Sequence, residues 1–146
     1  MFALGVRYLN GFVAASETDA RERHREGAAD HSEERTVRDA ILDQDPVLLE
    51  IVERLVAEIR PCRIYLFGSR DRGDVGSDSD YDLLLLVEHP AEPTYRLSQR
   101  AYRALRGVPA AVDVLVWDRA AFESRLHLPA SFPATVAREG RVLHAA

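Results

Sequence analysis

The sequence contains no lysine, since all 19 of its basic residues are arginines. A lysine nucleophile, a lysine Schiff base and a P-loop lysine are therefore excluded. Cysteine is almost as scarce: Cys62 is the only one, which excludes an intramolecular disulfide and any metal site built from several cysteines. The five histidines show no close metal-ligand spacing, so a histidine metal centre is not indicated either.

Basic charge and long apolar runs are also lacking. The net charge of −5 gives no footprint for general nucleic-acid binding, although a local basic patch stays open, and we expect no direct nucleic-acid partner. No apolar run reaches the roughly 18 residues of a membrane-spanning helix. The first 16 residues lack a basic segment followed by an uninterrupted apolar one, as a signal peptide would have. We therefore expect a cytoplasmic protein that does not bind membranes.

Two parts of different composition follow one another along the chain. Residues 1–42 are dense in charges of both signs and poor in large apolar side chains, which predicts a solvated helix or a disordered arm. Residues 43–146 carry regular apolar patterns and are numerous enough to bury a core. We therefore expect a charged N-terminal extension followed by one domain, in which Cys62 is a small buried residue.

The apolar pattern of the second part predicts a series of helices and strands. Asp45 is a candidate N-cap with Pro46 in the first helical position, and the amphipathic helix that follows ends at Pro61. The other predicted elements are a strand over 63–67, a strand over 80–87, a helix over 92–106, a strand over 110–117, a helix over 119–127 capped by Asp118, and a short helix with an extended end. This order predicts an α+β (α/β-type) fold in which helices pack on a small mixed β-sheet.

Three aspartates lie where two of the predicted strands begin. Asp80 and Asp82 share one face of their strand because side chains alternate between faces, and leucines continue that face. Asp113 occupies the corresponding place near the start of the next strand. If the helix between these strands makes a right-handed crossover, the strands are parallel and the three carboxylates meet at one edge of the sheet.

A glycine-serine turn is expected at the same edge. Gly68 and Ser69 follow the strand over 63–67, and antiparallel pairing of that strand with the next brings the turn beside the aspartates. Clustered carboxylates suit Mg²⁺, while backbone N–H groups and a hydroxyl suit a phosphate. Two metal ions in such a site can stabilise both the attacking and the leaving oxygen. The combination indicates phosphoryl or nucleotidyl transfer.

The stretch "FGSRDRGDVGSDSDYDLLLLV" places ten residues between Gly68-Ser69 and Asp80-Tyr81-Asp82. This pattern resembles the signature of the DNA polymerase beta-like nucleotidyltransferase superfamily, and most of all its small prokaryotic branch, the minimal nucleotidyltransferases. Asp113 in "VDVLV" matches the third acid of that family. The resemblance covers about residues 43–144 and implies the nucleotidyltransferase fold with a complete set of acids, and hence an active enzyme.

The resemblance implies a role for each matching residue. Gly68 and Ser69 would hold the triphosphate of ATP. Asp80 and Asp82 would ligate Mg²⁺, with two ions in the complete site. Asp113 would complete the site for the ion that activates the attacking hydroxyl.

Arginine is the only basic side chain available for contacts with phosphates or acidic partners. Arg70 and Arg72 lie in the connection that follows the glycine-serine turn and are candidates for phosphate contacts. Arg96, Arg100 and Arg103 recur on one face of the helix before the third strand. That face is either simply solvated or a docking surface for an acidic partner or a nucleic acid.

The resemblance also implies a partner. Minimal nucleotidyltransferases are best known as antitoxins that transfer AMP from ATP to a tyrosine hydroxyl of a HEPN-domain ribonuclease toxin. Two alternatives stay open: nucleotidyl transfer to a small molecule such as an aminoglycoside, and a non-catalytic module that neutralises a toxin by binding alone. Only about 60 residues follow Val87, and they already contain a strand that the core needs, which leaves little room for a second acceptor-binding domain.

Overall fold

The computed structural model describes residues 32–68 and 80–146 of the chain. In chain order the elements are α1 (32–44), α2 (Pro46–Ile59), β1 (Arg63–Phe67), β2 (Tyr81–Val87), α3 (Thr94–Ala104), β3 (Val112–Asp118), α4 (Arg119–Glu123), α5 (Phe132–Glu139) and β4 (Arg141–Ala145). Among these described helices, none combines the length and the apolar character needed to cross a membrane.

Helix α2 begins and ends as the sequence predicts. The carboxylate of Asp45 accepts a hydrogen bond from the backbone N–H of Leu48 at 3.0 Å, and Pro46 occupies the first helical position. After Ile59 the chain leaves the helix through Arg60, which adopts the left-handed conformation with φ 53°. The apolar face of α2 is buried and forms the centre of the core.

Within residues 32–68 and 80–146 the sheet has four strands, in the order β3-β2-β1-β4. Strands β2 and β3 pair in parallel, with α3 as the crossover, whereas β1 pairs antiparallel with both β2 and β4. The predicted small mixed sheet and the parallel crossover are confirmed. Strand β4 goes beyond the prediction. The sequence predicted only an extended end for this segment, which in the structure joins the sheet beside β1.

Two apolar layers cover the two faces of the sheet. The larger lies between the sheet and helices α2 and α3, and the smaller lies under α4 and α5. The side chains of β2 alternate between these layers as predicted. Those facing α2 and α3 are Tyr81, Leu83, Leu85 and Val87, and those facing α4 and α5 are Leu84 and Leu86.

Some predicted boundaries are wrong by a few residues. Strand β2 begins at Tyr81, so Asp80 precedes it, and β3 begins two residues later than predicted. Helix α4 ends at Glu123 rather than at residue 127. Beyond Ser124, backbone N–H groups bond carbonyls three residues back, as from Leu126 to Glu123 at 3.2 Å, so the chain tightens into turns.

Two further expectations differ from the structure in detail. Asp118, the last residue of strand β3, precedes α4 as predicted, but its side chain makes no cap hydrogen bond. Cys62 is only half-buried, and its thiol donates to the carbonyl oxygen of Leu86 at 3.2 Å.

Ile41 and Leu42 pack partly buried against the core, so core contacts cross the predicted boundary between extension and domain.

Candidate active site

Asp82 and Asp113 lie directly opposite each other in the parallel pair of β2 and β3. The register is fixed at its start by a hydrogen bond from the backbone N–H of Tyr81 to the carbonyl oxygen of Ala111, at 3.0 Å. Neighbouring strands are about 4.8 Å apart, so the backbones of the two aspartates are direct neighbours across the strand pair. The predicted meeting of these residues through a parallel crossover is thus confirmed.

Gly68 lies against Asp82 from the other side. In the antiparallel pair, Phe67 is opposite Asp82, so Gly68 is the first residue beyond the paired strand. Its φ of +80° lies in the left-handed region, which favours glycine. A Cβ atom at this position would lie only 2.3 Å from Oδ2 of Asp82. The space beside this carboxylate therefore exists because residue 68 has no side chain.

Tyr81 anchors the segment that carries Asp80 and Asp82. Its side chain points to the opposite face of the sheet, is only 3% exposed, and donates a hydrogen bond to Oδ2 of Asp45 at 2.6 Å. Since the other oxygen of Asp45 caps α2, one carboxylate joins the start of that helix to the start of β2. Asp80 itself is exposed, one residue before the strand.

Burial, together with the negative charges of its neighbours, raises the pKa of Asp82. Burial is the largest cause, since Asp82 is half-buried, and the charges of Asp113 and Asp80 act in the same direction. Within the described residues, no three His, Cys, Asp or Glu side chains are grouped so that they could hold a metal ion. The backbone thus brings the three aspartates to one edge without gathering their carboxylates into a finished metal site.

The residues at this edge fit a hard divalent cation in kind, and the backbone brings them to one place. Aspartate oxygens are the ligands that Mg²⁺ prefers, and a cation would offset the repulsion that raises the pKa of Asp82. The side-chain-free position at Gly68 keeps one face of that carboxylate accessible. Asp80, Asp82 and Asp113 are the residues that would hold such an ion.

Tyr102 on helix α3 contacts the candidate site, and the sequence did not predict this contact. Its hydroxyl donates to Oδ1 of Asp113 at 2.8 Å and accepts from the backbone N–H of Val114 at 3.1 Å. Burial raises the pKa of Tyr102, and the hydrogen bond to Asp113 raises it further, so the hydroxyl stays protonated and able to donate. No motif marks this residue, although it lies in the crossover helix that leads into β3.

An aromatic layer on the side of α5 lies next to the acidic edge, which is the end of the sheet that carries Asp80, Asp82 and Asp113. The ring of Phe132 contacts Phe67 edge-to-face at 5.5 Å between centroids, and Trp117 at 5.9 Å. The guanidinium of Arg125 lies 5.7 Å from the centroid of Trp117. Trp117 is therefore a packing residue. Tyr65 and Tyr81 are both buried.

The remaining predicted residues fall into two groups. Ser69, Arg70 and Arg72 lie outside the described residues, so their roles stay predictions. On α3, Arg100 is engaged within the molecule: it forms an ion pair with Glu92, just before α3, at 2.6 Å. A second ion pair, with Glu58 at 3.0 Å, ties α3 to α2.

Comparisons with known proteins agree with this geometry. The sequence model described as "Nucleotidyltransferase domain" matches residues 47–141. No curated protein sequence matches the chain significantly.

Two solved structures are similar to the chain. One is that of a candidate nucleotidyltransferase from Sulfolobus solfataricus; it is 28% identical, with 54% of this chain and 70% of that chain covered and a TM-score of 0.43. The other is a chain from a crystal structure of a toxin-antitoxin with AMP-PNP; it is 25% identical, with 66% and 72% covered and a TM-score of 0.44. Both TM-scores are low, so family membership is drawn from the domain match.

That match spans more than half of the chain and contains Gly68 and the three aspartates of the acidic edge. The four-stranded mixed sheet with its helices has the arrangement of that domain. The chain belongs to the nucleotidyltransferase domain family and has its fold.

Proposed function

We propose that this chain is a Mg²⁺-dependent nucleotidyltransferase that transfers AMP from ATP to a tyrosine hydroxyl of a HEPN-domain ribonuclease toxin. It would act in the cytoplasm as the antitoxin of that partner, with residues 43–146 as the catalytic domain and residues 1–42 as an extension. The observation that carries the nucleotidyl transfer is the register that sets Asp82 opposite Asp113, with Gly68 against the carboxylate of Asp82. The toxin as acceptor is supported by the sequence resemblance alone.

Each residue of the site has a part in this proposal. Asp80 and Asp82 hold Mg²⁺, and Asp113 completes the site on the side of the attacking hydroxyl. Mg²⁺, when bound, supplies positive charge for the triphosphate and for the developing oxygen charges. Gly68 and Ser69 hold the triphosphate through backbone N–H groups and a hydroxyl. Arg70 and Arg72 contribute phosphate contacts.

The proposed reaction is a single displacement at the α-phosphorus of ATP. The phenolic oxygen of the acceptor forms a bond to that phosphorus, and the bond to the oxygen bridging the α- and β-phosphates breaks. Pyrophosphate leaves with that bridging oxygen. The hydroxyl proton passes to a carboxylate oxygen of Asp113 and then to water.

The test is transfer of label to the protein encoded beside this gene. The two proteins are incubated with Mg²⁺ and ATP labelled either at the α- or at the γ-phosphate. We expect the α-label alone to appear on the partner, and to disappear when the acceptor tyrosine is changed to phenylalanine. Transfer of the γ-label would indicate a kinase, and absence of both labels with folded proteins would refute the proposal.

Strand β3 offers a matched pair of control variants. Asp113 and Asp118 are both aspartates of this strand, at opposite ends, and Asp118 is paired with Val87 far from the acidic edge. We expect Asp113→Ala to reduce AMP transfer at least 100-fold on the scale of lost catalytic groups, and Asp118→Ala to retain it. Equal losses in both variants would mean that β3 matters only for folding.

The two alternative functions give different outcomes with Asp82→Ala. If the chain neutralises a toxin by binding alone, this variant still protects cells fully. If the acceptor is a small molecule, expression of the wild-type chain protects cells against an aminoglycoside and the variant does not. The described residues after Val87 form α3, β3, α4, α5 and β4 of the same fold.

A further inference from the structure

Among the described residues, strand β3 is an edge strand, because it pairs there with β2 on one side only. Its outer side faces the end of helix α3, where Tyr102 lies. The Tyr102 hydroxyl accepts the outward-pointing N–H of Val114 at 3.1 Å. A side chain from the crossover helix thus occupies a hydrogen-bonding position that a further strand would otherwise take.

The same hydroxyl has its single hydrogen directed at Asp113. It donates to Oδ1 at 2.8 Å, and since a tyrosine hydroxyl has only one hydrogen, no other acceptor competes for it. Oδ2 of Asp113 has no hydrogen-bond partner among the described residues. One carboxylate oxygen is therefore held from the outer edge and the other is left for a ligand.

We propose that Tyr102 is a positioning residue that holds the Asp113 carboxylate at the acidic edge for cation binding. This inference rests on the proposed function, in which Asp113 completes the metal site. Asp113 needs such a partner, because it is exposed and lies opposite Asp82, whose like charge repels it. Outer partners of this kind orient metal ligands, and their loss typically weakens metal binding about 10- to 100-fold.

Packing alone does not account for Tyr102. The residue is 44% exposed and belongs to neither apolar cluster of the core. Tyr95 lies seven residues earlier on the same helix, is 59% exposed, and makes no hydrogen bond among the described residues. Since the two tyrosines differ mainly in the contact of the hydroxyl, Tyr95→Phe is a matched control for Tyr102→Phe.

The experiment measures Mn²⁺ binding to the full chain by the loss of the free-ion electron paramagnetic resonance signal, without nucleotide or acceptor. We expect Tyr102→Phe to weaken binding about tenfold, on the scale of lost outer partners, and Tyr95→Phe to leave it unchanged. Thermal melting in EDTA accompanies each titration. Unchanged or tighter Mn²⁺ binding by Tyr102→Phe would overturn the proposal, as would a wild-type chain that binds no Mn²⁺.

A second pair of measurements separates positioning from a general loss of stability. Leu97→Ala removes a buried side chain of α3 without touching Asp113, so we expect a lower melting temperature with normal Mn²⁺ affinity. In EDTA, the stability losses of Tyr102→Phe and Asp113→Ala should be non-additive, because both remove the same hydrogen bond. Additive losses, or equal weakening of Mn²⁺ binding by Leu97→Ala, would refute positioning.

These outcomes are distinct from failure of the proposed function. If the wild-type chain transfers no AMP but Tyr102→Phe weakens Mn²⁺ binding, the positioning role stands and the toxin-directed activity falls. If transfer to the partner occurs and Tyr102→Phe binds Mn²⁺ normally, the proposed function stands and the positioning role of Tyr102 falls. Label from α-labelled ATP on Tyr102 itself would make this hydroxyl an acceptor and overturn the inference.

Discussion

Asp82 is the residue at which the contacts of the acidic edge meet. It has Asp113 opposite it on one side and Phe67 on the other, and Gly68 leaves the space against its Oδ2. Such a half-buried carboxylate among like charges lowers the stability of the metal-free fold. A position that is unfavourable for folding and favourable for a cation is typical of functional sites.

The raised pKa of Asp82 gives a pH-dependent prediction. The folded state binds the proton of the Asp82 carboxyl group more tightly than the unfolded chain does. The free energy of unfolding therefore falls as pH rises from the ordinary pKa of an aspartate through the raised pKa of Asp82. In EDTA at neutral pH, Asp82→Asn should therefore melt above wild type. The difference should shrink as pH falls through the pKa of Asp82, because the wild type then becomes neutral too.

Mg²⁺ and a neighbouring aspartate supply the controls for that experiment. With Mg²⁺ the wild type should gain melting temperature and Asp82→Asn should gain much less, since it has lost a ligand. Asp80→Asn should give a smaller rise in EDTA, because Asp80 is exposed. A melting temperature of Asp82→Asn below wild type at every pH would contradict the repulsion at this edge.

Gly68→Ala tests the close approach of backbone and carboxylate. Both Gly68 and Gly107 have φ near +80°, at +80° and +84°, but a Cβ at Gly107 meets nothing within 4 Å. Alanine in this conformation costs about 1–2 kcal/mol, which Gly107→Ala should show in urea denaturation. We expect Gly68→Ala to lose more stability and also to lose Mn²⁺ binding, because Asp82 must move. Equal behaviour of the two variants would refute this reading.

At the scale of single residues, alternation along the strands together with the expected parallel crossover was enough to place Asp82 beside Asp113. The contact between Gly68 and Oδ2 of Asp82 could not be predicted, because it depends on the register between two strands rather than on either sequence. Tyr102 was missed for a similar reason: helical periodicity shows an exposed position, but not that the strand edge lies beside it.

Among the elements, α2 and β2 are joined by one carboxylate. Asp45 accepts from the N–H of Leu48 with one oxygen and from the hydroxyl of Tyr81 with the other. The first contact starts the helix, and the second holds the strand segment between Asp80 and Asp82. A local capping signal thus also helps to position the acids.

Asp45→Ala should cost more stability than loss of an ordinary cap. A cap is worth about 1 kcal/mol, and the charged hydrogen bond from Tyr81 adds about 1.5–3 kcal/mol. Ser131→Ala is the matched control, because Ser131 caps α5 through the N–H of Ala134 at 3.2 Å without bonding to β2. Urea denaturation measures both losses. Similar losses for the two variants would show that the bond to Tyr81 contributes little.

The elements differ in how far local sequence determines them. Helix α2 carries its own cap, proline and apolar stripe, so its start was predictable to the residue. Helix α4 lacks a side-chain cap and gives way to tighter turns, so its predicted length was wrong. Strand β4 was predicted only as extended, because its pairing with β1 joins residues as distant as Ile64 and His144.

Across the whole molecule, the two edges of the sheet have different tasks. The β3 edge carries Asp113 with its hydroxyl partner, and an exposed Leu115 follows on the same strand. The β4 edge closes the core, with Leu143 only 1% exposed in the cluster that includes α2. The proposed site and the closure of the core thus lie toward opposite edge strands of one small sheet.

Leu143→Ala tests this division. Truncating a buried leucine typically costs about 2–5 kcal/mol, so urea denaturation should show a large loss. We expect the folded variant to keep its Mn²⁺ affinity, because β4 is two strands away from β2. Leu128→Ala makes the same change at a position that is 48% exposed and should stay within about 0.5 kcal/mol of wild type. Loss of Mn²⁺ binding by folded Leu143→Ala would contradict the division.

The register of β2 against β3 also sets when the acidic edge can form as the chain folds. Phe67 and Asp82 are fifteen positions apart along the chain (82 − 67), whereas Asp82 and Asp113 are thirty-one apart (113 − 82). Closing the longer segment costs more chain entropy, by about 0.6 kcal/mol for each doubling of length, and such non-local pairing is slow. The acidic edge is therefore complete only after β2 and β3 have paired. The rate at which the refolding chain binds Mn²⁺ would measure the rate of this pairing.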